Sequence, residues 1–335
     1  MVTRTLPCRI ASWLLLPFVL GALNVPAAHA GQVRVNVGSN FFAPYAANVN
    51  EGDHVVWVWI SGGHTVTNWT LPADSVNGGI DGSIFDSEPG GLHFGLSNQR
   101  FSWKSDRTGH VPYVCVPHMS LDMTGRVIVA PLATPPTVPV ADFRITEVLF
   151  NEPSGKDLVE IANLGAAAGN LGRFRLARLG TGTGVEIALN DFPVPAGGRV
   201  TIHANETGAN DPANIYLSEL GNLGDVQGSV ALYVPSSLSF QNALTNADMM
   251  LDFVQWGAGG QVNEGTANTA GFWTPGTSID NVAVGHSIEY CQNATLDHGV
   301  DRWAEISPPN FGSNGNCTTP TVFQSWGRLK IIYRE

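Results

Sequence analysis

Three side chains that bind soft metals follow one another within a single short stretch of this chain of 335 residues. The thiol of Cys115 is followed by the imidazole of His118 and then by the thioether of Met123, in the pattern Cys-x2-His-x4-Met. A second imidazole, His64, lies upstream after a pair of glycines. A metal bound by all four would tie this loop to a separate strand, so the pattern restricts the fold to one in which the two segments meet.

Two imidazoles and one thiolate in a trigonal set, with a weak axial thioether, are the ligands of a blue-copper electron-transfer site. Thiolate and imidazole ligate both Cu(II) and Cu(I), and a long methionine bond helps to tune the redox potential. A rigid site of this kind reorganises little when an electron is transferred. The four residues therefore predict one copper ion per chain and one-electron transfer through a Cu(II)/Cu(I) centre, by an electron carrier rather than an enzyme.

The rest of the chain is typical of an all-β protein. Short apolar runs rich in Val, Ile and aromatic residues are separated by turn residues, and the chain has 38 Gly and 21 Pro. Alternation predicts a strand over 33–37, and further strands are predicted over 101–103, 111–115 and 126–129. The run 54–60 is nearly continuous in apolar residues, which predicts a strand in a sandwich core.

Residues 33–129 resemble a cupredoxin of the plastocyanin type. The matching pieces are Phe42-Ala-Pro44, Glu51-Gly-Asp53 with Val56-Trp57, Gly63-His64-Thr-Val66, Gly109 before Tyr113, Tyr113-Val-Cys115-Val-Pro-His118, and Met123-Thr-Gly125-Arg-Val127. The resemblance implies a Greek-key β-sandwich over 31–130 with His64, Cys115 and His118 as equatorial ligands and Met123 as the axial ligand. Many family members have Asn after the first ligand histidine, where this chain has Thr65.

The resemblance also implies an electron port, an apolar patch around the edge of the loop histidine. Here that patch would surround His118 and include Pro117, Met119 and the turn at Phe41 and Phe42. Packing of the loop is the alternative role for these residues. Met119 is a rival axial ligand, but its position next to His118 favours Met123. His54, His93 and His110 are interpreted as non-ligands.

The first 30 residues are typical of a secretory signal peptide. Arg4 and Arg9 precede a short apolar run, and Ala28-His-Ala30 is a suitable cleavage site. We therefore expect an exported protein in the periplasm, at the cell surface or outside the cell, with no transmembrane helix in the mature chain. Removal of the signal takes two arginines and no acid from a formal charge of −11, which leaves −13. This acidic balance disfavours a nucleic-acid partner.

The mature chain would keep three cysteines, an odd number. A disulfide between Cys291 and Cys317 would leave Cys115 free as a thiolate for copper. A disulfide of Cys115 itself is the competing interpretation, since exported proteins form disulfides.

Residues 131–140 are rich in proline and predict a semi-rigid linker to a second domain over 141–318. This domain resembles the lamin-tail family, which implies an immunoglobulin-like β-sandwich with a binding or adhesive role and no catalysis. Phe174 stands where that family usually has Trp. Glu147 and Glu160 could suggest a cation site, but in the family they belong to the fold pattern. The motifs that carry the resemblance lie at 145–151, 158–163, 170–176, 194–200, 251–257 and 308–312.

Residues 319–335 form an aromatic and basic tail, either a sorting or anchoring segment or a final element docked on the second domain. The whole sequence predicts a copper electron carrier with an unidentified redox-protein partner, whose second domain binds a surface or polymer. Copper storage or delivery without redox turnover is an alternative, but the Met-rich or His-rich runs that would favour it are missing. A structural surface protein is a second alternative. A multicopper enzyme would need His-x-His pairs, and the sequence has none.

Overall fold

The computed structural model describes residues 30–70, 79–80, 82–87, 100–133, 137–179, 184–235, 244–292 and 297–313. These residues are mostly β-structure, as predicted, with one short α-helix, α1 (Glu264–Thr269). Every described residue belongs to one of two units, 30–133 or 137–313.

The first unit is a sandwich of two sheets. Its first sheet has the strand order β2-β1-β4-β7, and its second has the order β3-β9-β8-β5-β6. The pairs β1–β4 and β3–β9 are parallel, so the chain crosses between non-adjacent strands. The strands are β1 (Gln32–Gly38), β2 (Phe41–Ala43), β3 (Ala46–Asn50), β4 (His54–Trp59), β5 (Thr67–Thr70), β6 (Gly79–Ile80), β7 (Arg100–Lys104), β8 (Gly109–Val114) and β9 (Thr124–Ala130).

The core of this sandwich is aromatic. Trp57 on β4 is opposite Phe101 on β7, and its ring also meets the edge of Tyr113 from the other sheet at a centroid distance of 5.3 Å. Edge-to-face contacts of this kind add to the stability that apolar burial provides. Cys115 and Met123 belong to the same buried cluster, so the predicted metal loop is anchored in the core.

The second unit contains further β-sheets. A six-stranded sheet has the order β17-β16-β11-β10-β20-β21, a four-stranded sheet has the order β14-β13-β18-β19, and β12 pairs with β15. One buried cluster spans both larger sheets. The strands are β10 (Phe143–Leu149), β11 (Leu158–Asn163), β12 (Gly169–Asn170), β13 (Arg175–Leu179), β14 (Val185–Ala188), β15 (Pro193–Val194), β16 (Arg199–Ala204), β17 (Asn214–Leu217), β18 (Gly228–Tyr233), β19 (Met250–Trp256), β20 (Ser287–Tyr290) and β21 (Trp303–Ile306).

All six residues of β4 are buried, because the strand has a covered surface on both sides. Val55, Trp57 and Trp59 belong to the sandwich core. The alternate residues His54 and Val56 point the other way, as the two-residue repeat of a strand requires. The second unit covers that outer face, which explains why every residue of this strand after His54 is apolar.

Hydrogen bonds cross between the two units along this face. The ring Nε2 of His54 contacts the carbonyl oxygen of Asp248 at 2.5 Å, and the hydroxyl of Ser102 donates to the carbonyl of Pro235 at 2.7 Å. The main-chain N–H of Gln32 donates to the carbonyl of Ala141 at 2.7 Å. Buried polar groups that are paired across an interface hold it in one register, since any shift would leave them unsatisfied.

Several sequence predictions fall outside the described residues. They are the signal peptide except for Ala30, the tail 319–335, His93, and Cys317 as the predicted partner of Cys291. The proposed domain boundaries and the disulfide stay predictions, although Cys291 itself is buried. None of the helices in the described ranges has the length and apolar character needed to cross a membrane.

Candidate metal centre

His64 reaches the centre from the segment that follows β4. The indole Nε1 of Trp59 donates a hydrogen bond to the carbonyl of His64 at 2.9 Å, which fixes the main chain at this point. Gly62 has a φ of +73°, and a Cβ atom there would lie 2.4 Å from Nε2 of His64. Gly62 is therefore needed both for the turn and for the space that the ring of His64 occupies.

The other three residues come from the turn between β8 and β9. A 3₁₀ segment, Val116–Leu121, begins directly after Cys115, and Asp122 ends it in the left-handed conformation with a φ of 57°. The N–H of Cys115 donates to the carbonyl of Met123 at 3.0 Å, so the two ends of the loop are held together. The order of residues and the hydrogen bonds within the loop thus bring Cys115, His118 and Met123 into one turn.

The structure brings the three predicted equatorial ligands together. Sγ of Cys115 lies 3.3 Å from Nδ1 of His118 and 3.7 Å from Nδ1 of His64, and the two Nδ1 atoms are 3.1 Å apart. The centre of such a triangle lies about 2 Å from each corner, which is the length of a metal–nitrogen bond. These residues form the one metal-binding group of His, Cys, Asp and Glu side chains found within the described ranges. Their donor set fits copper, because thiolate and imidazole suit it.

Met123 completes the predicted His-Cys-His-Met set. Its side chain has no exposed surface and packs in the core beside Cys115. Met119, the rival axial ligand, is 46% exposed. The difference in burial favours Met123, since an axial thioether must face the protected side of the metal.

Thr65 is a functional residue whose role the sequence left undecided. Its main-chain N–H donates to Sγ of Cys115 at 3.4 Å, and its hydroxyl accepts from the N–H of Val116 at 2.9 Å. The side chain therefore joins the His64 segment to the loop of Cys115. In the sequence, the position of Thr65 directly after the ligand His64 was the feature that could have indicated this role.

Burial shifts the pKa values of two of the ligands, His64 and Cys115. It lowers the pKa of His64, with a further contribution from the nearby His118. Burial also raises the pKa of the Cys115 thiol. A metal ion would have to displace the thiol proton on binding, so copper affinity should depend on pH. Cys115 is a free cysteine, which leaves its sulfur available as a ligand.

The loop histidine is the ligand nearest to solvent. His118 is half-buried, while His64 and Cys115 are buried. Pro117 and Met119, which were predicted to surround His118, are exposed. Leu121, which the sequence analysis did not include, is also exposed, at 56%.

The predicted patch needs one correction. Phe41 is 43% exposed and lies in the β1–β2 hairpin, whose turn residue Ser39 hydrogen-bonds Ser61 near His64. Phe42 is buried, because its ring packs edge-on against Tyr113 at 4.8 Å. Successive residues of a strand face opposite sides, so the two phenylalanines could not both lie on the surface.

His54 and His110, two histidines interpreted as non-ligands, lie away from the centre. His54 is buried at the boundary between the two units, and His110 is exposed on β8. Neither belongs to the metal-binding group of the described residues.

Glu147 and Glu160, which the sequence analysis considered as a possible cation site, form hydrogen bonds and an ion pair with neighbouring protein groups. Glu147 accepts hydrogen bonds from the hydroxyl of Ser287 and the N–H of Asn310. Glu160 pairs with Arg199 and accepts from the N–H of Gly312 at 2.6 Å. These contacts favour the structural interpretation of both carboxylates.

Residues 30–130 match the sequence family described as copper binding proteins of the plastocyanin/azurin family. No curated protein matches the chain. Among solved structures, an oxidised mutant of amicyanin is 20% identical, with 29% of this chain and 81% of that chain covered and a TM-score of 0.23. Oxidised plastocyanin from Dryopteris crassirhizoma is 22% identical, with 29% and 100% covered and a TM-score of 0.24. A purple cupredoxin from Nitrosopumilus maritimus is 20% identical, with 29% and 99% covered and a TM-score of 0.24.

The family match covers the whole metal centre and ends before the second unit begins. The match agrees with the short distances among the ligand atoms of His64, Cys115 and His118, which identify the same metal site independently. Residues 30–130 are therefore a cupredoxin domain of the plastocyanin/azurin family, with a type 1 copper site made by His64, Cys115, His118 and Met123.

Proposed function

We propose that the protein is a one-electron carrier, and that electrons enter and leave through the edge of His118. The observation that carries this proposal is the close approach of one thiol sulfur and two imidazole nitrogens beside a buried methionine. Copper bound there would supply the Cu(II)/Cu(I) couple.

The residues of the chain have separate tasks in this proposal. Cys115, His64 and His118 would hold the metal equatorially and Met123 axially. The main-chain N–H of Thr65 donates to the sulfur of Cys115, and the Thr65 hydroxyl accepts from the N–H of Val116 at the start of the ligand loop. Because the sulfur and both nitrogens are already close together, little movement is needed to bind a metal or to change its charge. A small change in structure on electron transfer lowers the barrier to that transfer.

His118 is the proposed route to the partner. It is half-buried, and exposed apolar side chains of Met119 and Leu121 lie in the same turn. An apolar rim lets a redox protein approach the imidazole closely without leaving charged groups unsatisfied. The partner would be a second redox protein, and no enzymatic reaction of this chain is required.

We also propose that residues 141–318 form a lamin-tail-like domain that positions the carrier by binding a surface, a polymer or another protein. The sequence motifs at 145–151 and 158–163 support this, and they fall on β10 and β11. Export to the periplasm, the cell surface or the exterior is part of the same proposal, on the strength of the signal-like residues 1–30.

The test is copper loading of the purified chain that begins at Gly31. An intense blue absorption from charge transfer between the Cys115 thiolate and copper is expected, and Cys115→Ser should abolish it. Full copper occupancy without this absorption would exclude a type 1 centre. A loaded protein that is blue but cannot be reduced and reoxidised reversibly would instead support storage or a structural role for the metal.

A further inference from the structure

Cleavage after Ala30, which the sequence predicts, would make Gly31 the first residue of the chain. Gly31 is buried, and both of its main-chain polar groups are hydrogen-bonded. Its N–H donates to Oδ1 of Asp53 at 2.7 Å, and its carbonyl accepts from the N–H of His54 at 2.7 Å. The nitrogen that cleavage would release is therefore held in a defined place inside the protein.

The second unit closes the other side of Gly31. A Cβ atom on this residue would clash with the side chain of Val140 and would lie 3.0 Å from the carbonyl oxygen of Ala141. The N–H of the next residue, Gln32, donates to the same carbonyl at 2.7 Å. Because the two units approach so closely here, the nitrogen of Gly31 cannot move away from Asp53 without breaking contacts between them.

Asp53 offers a carboxylate to this nitrogen. Its side chain has no exposed surface, and its Oδ2 accepts hydrogen bonds from the main-chain N–H and the side-chain amide of Asn50 at 2.7 and 2.9 Å. With Gly31 this makes three N–H donors. Hydrogen bonds from N–H groups favour the ionised form of a carboxylate. A negative charge therefore lies in direct contact with the nitrogen of Gly31.

Cleavage would change the charge on that nitrogen. Hydrolysis of the Ala30–Gly31 peptide bond consumes one water and leaves a carboxylate on the departing Ala30 and an α-ammonium group on Gly31. An α-amino group ordinarily has a pKa of about 7.7–8.0, so it is mostly charged at pH 7. The ammonium keeps the donor to Asp53 and adds a positive charge, and hydrogen bonds between ionised partners are the stronger ones.

We propose that removal of residues 1–30 creates a buried ion pair between the α-ammonium group of Gly31 and the carboxylate of Asp53, at the junction of the two units. The precursor has a neutral amide at this place, so only the cleaved chain contains the pair. Because Gly31 is buried, cleavage has to precede folding of the junction. The inference rests on the export proposal for the position of cleavage, and it uses none of the copper ligands.

A double-mutant cycle in the copper-loaded chain that begins at Gly31 tests the pair. Acetylation of the Gly31 amine removes the charge but keeps the N–H and restores the carbonyl of Ala30. Asp53→Asn should raise the equilibrium constant for unfolding in urea at pH 7 by a factor at least tenfold larger in the free-amine chain than in the acetylated chain. The ratio of the two factors isolates the interaction between the amine and Asp53, since effects common to both chains cancel.

The matched control is Asp106→Asn, which replaces an exposed carboxylate of the same domain. Its effect on unfolding should be the same in the free-amine and the acetylated chains. Equal effects of Asp53→Asn in the two chains would overturn the proposal, because the charge on Gly31 would then not interact with Asp53.

Chemical labelling of the amine gives a second measurement that needs no substitution. An amine-reactive reagent at pH 7 should modify Gly31 at least tenfold more slowly in the folded chain than in the chain unfolded in urea, as measured by mass spectrometry of the N-terminal peptide. Equal rates would show an exposed amine and would overturn the proposal. A first residue other than Gly31 in the exported protein would also overturn it, whereas the blue absorption reports the copper centre separately.

Discussion

The hydroxyl oxygen of Thr65 accepts a hydrogen bond from the main-chain N–H of Val116 across 2.9 Å. This contact links the residue after one copper ligand to the residue after another. The N–H of the same threonine donates to the sulfur of Cys115 at 3.4 Å. Thr65 therefore restrains both the sulfur and the start of the loop that carries His118.

Thr65→Val should destabilise the protein without changing the size of the side chain. The substitution leaves the half-buried N–H of Val116 without its acceptor, and loss of such a hydrogen bond costs about 0.5–1.5 kcal/mol. The free energy of unfolding in urea should fall by this amount. Thr65→Ser keeps the hydroxyl and is the control, with a smaller loss expected. Equal losses in the two variants would mean that the methyl group, and not the hydrogen bond, is the important part of Thr65.

Met123→Leu should keep the blue absorption and raise the reduction potential of bound copper. Cys115, His64 and His118 remain to hold the metal, whereas loss of an axial donor removes a ligand that helps to stabilise Cu(II). Voltammetry measures the potential, and absorption at the charge-transfer band measures the retained site.

Met119→Leu is the matched control for this substitution. Met119 is 46% exposed, so its replacement should leave the potential close to that of the parent protein. The opposite pattern, with a large change in Met119→Leu and none in Met123→Leu, would identify Met119 as the axial ligand. Complete loss of copper from Met123→Leu would show that the thioether is needed for binding itself.

The free energy of unfolding of the protein should decrease as the pH falls from about 6.5 to about 4. Burial lowers the pKa of His54 from 6.5 to about 4, so over this range the unfolded chain takes up a proton that the folded protein excludes. Lys104 acts in the same direction. A difference of this size corresponds to about 3 kcal/mol.

His54→Gln removes the titrating group and keeps an N–H donor for the carbonyl of Asp248. The pH dependence of the unfolding free energy between 6.5 and 4 should therefore be shallower in this variant by up to one proton. The control is His110→Gln, which replaces an exposed histidine. This variant should keep the pH dependence of unfolding that the parent protein shows. Identical slopes in His54→Gln and the parent would show that His54 titrates normally in the folded state.

Much of the copper centre could be predicted from local sequence. Cys115, His118 and Met123 lie in one turn, so their spacing alone limits how far apart they can be. Phe42 shows the limit of such reasoning, because adjacent residues of a strand face opposite sides and only the folded sandwich decides which side is buried. The proximity of Phe41 and Phe42 in sequence suggested a shared surface that the structure does not have.

The sequence alone determined the chemistry of this protein: a thiol, two imidazoles and a thioether in the order that a type 1 copper site uses. It also determined that the chain is mostly β-structure, since alternation and turn residues act over a few positions. Only the tertiary structure decided that the outer face of β4 is covered by the second unit. That contact brings His54 next to Asp248, 194 residues away, and depends on packing between distant segments that no local pattern records.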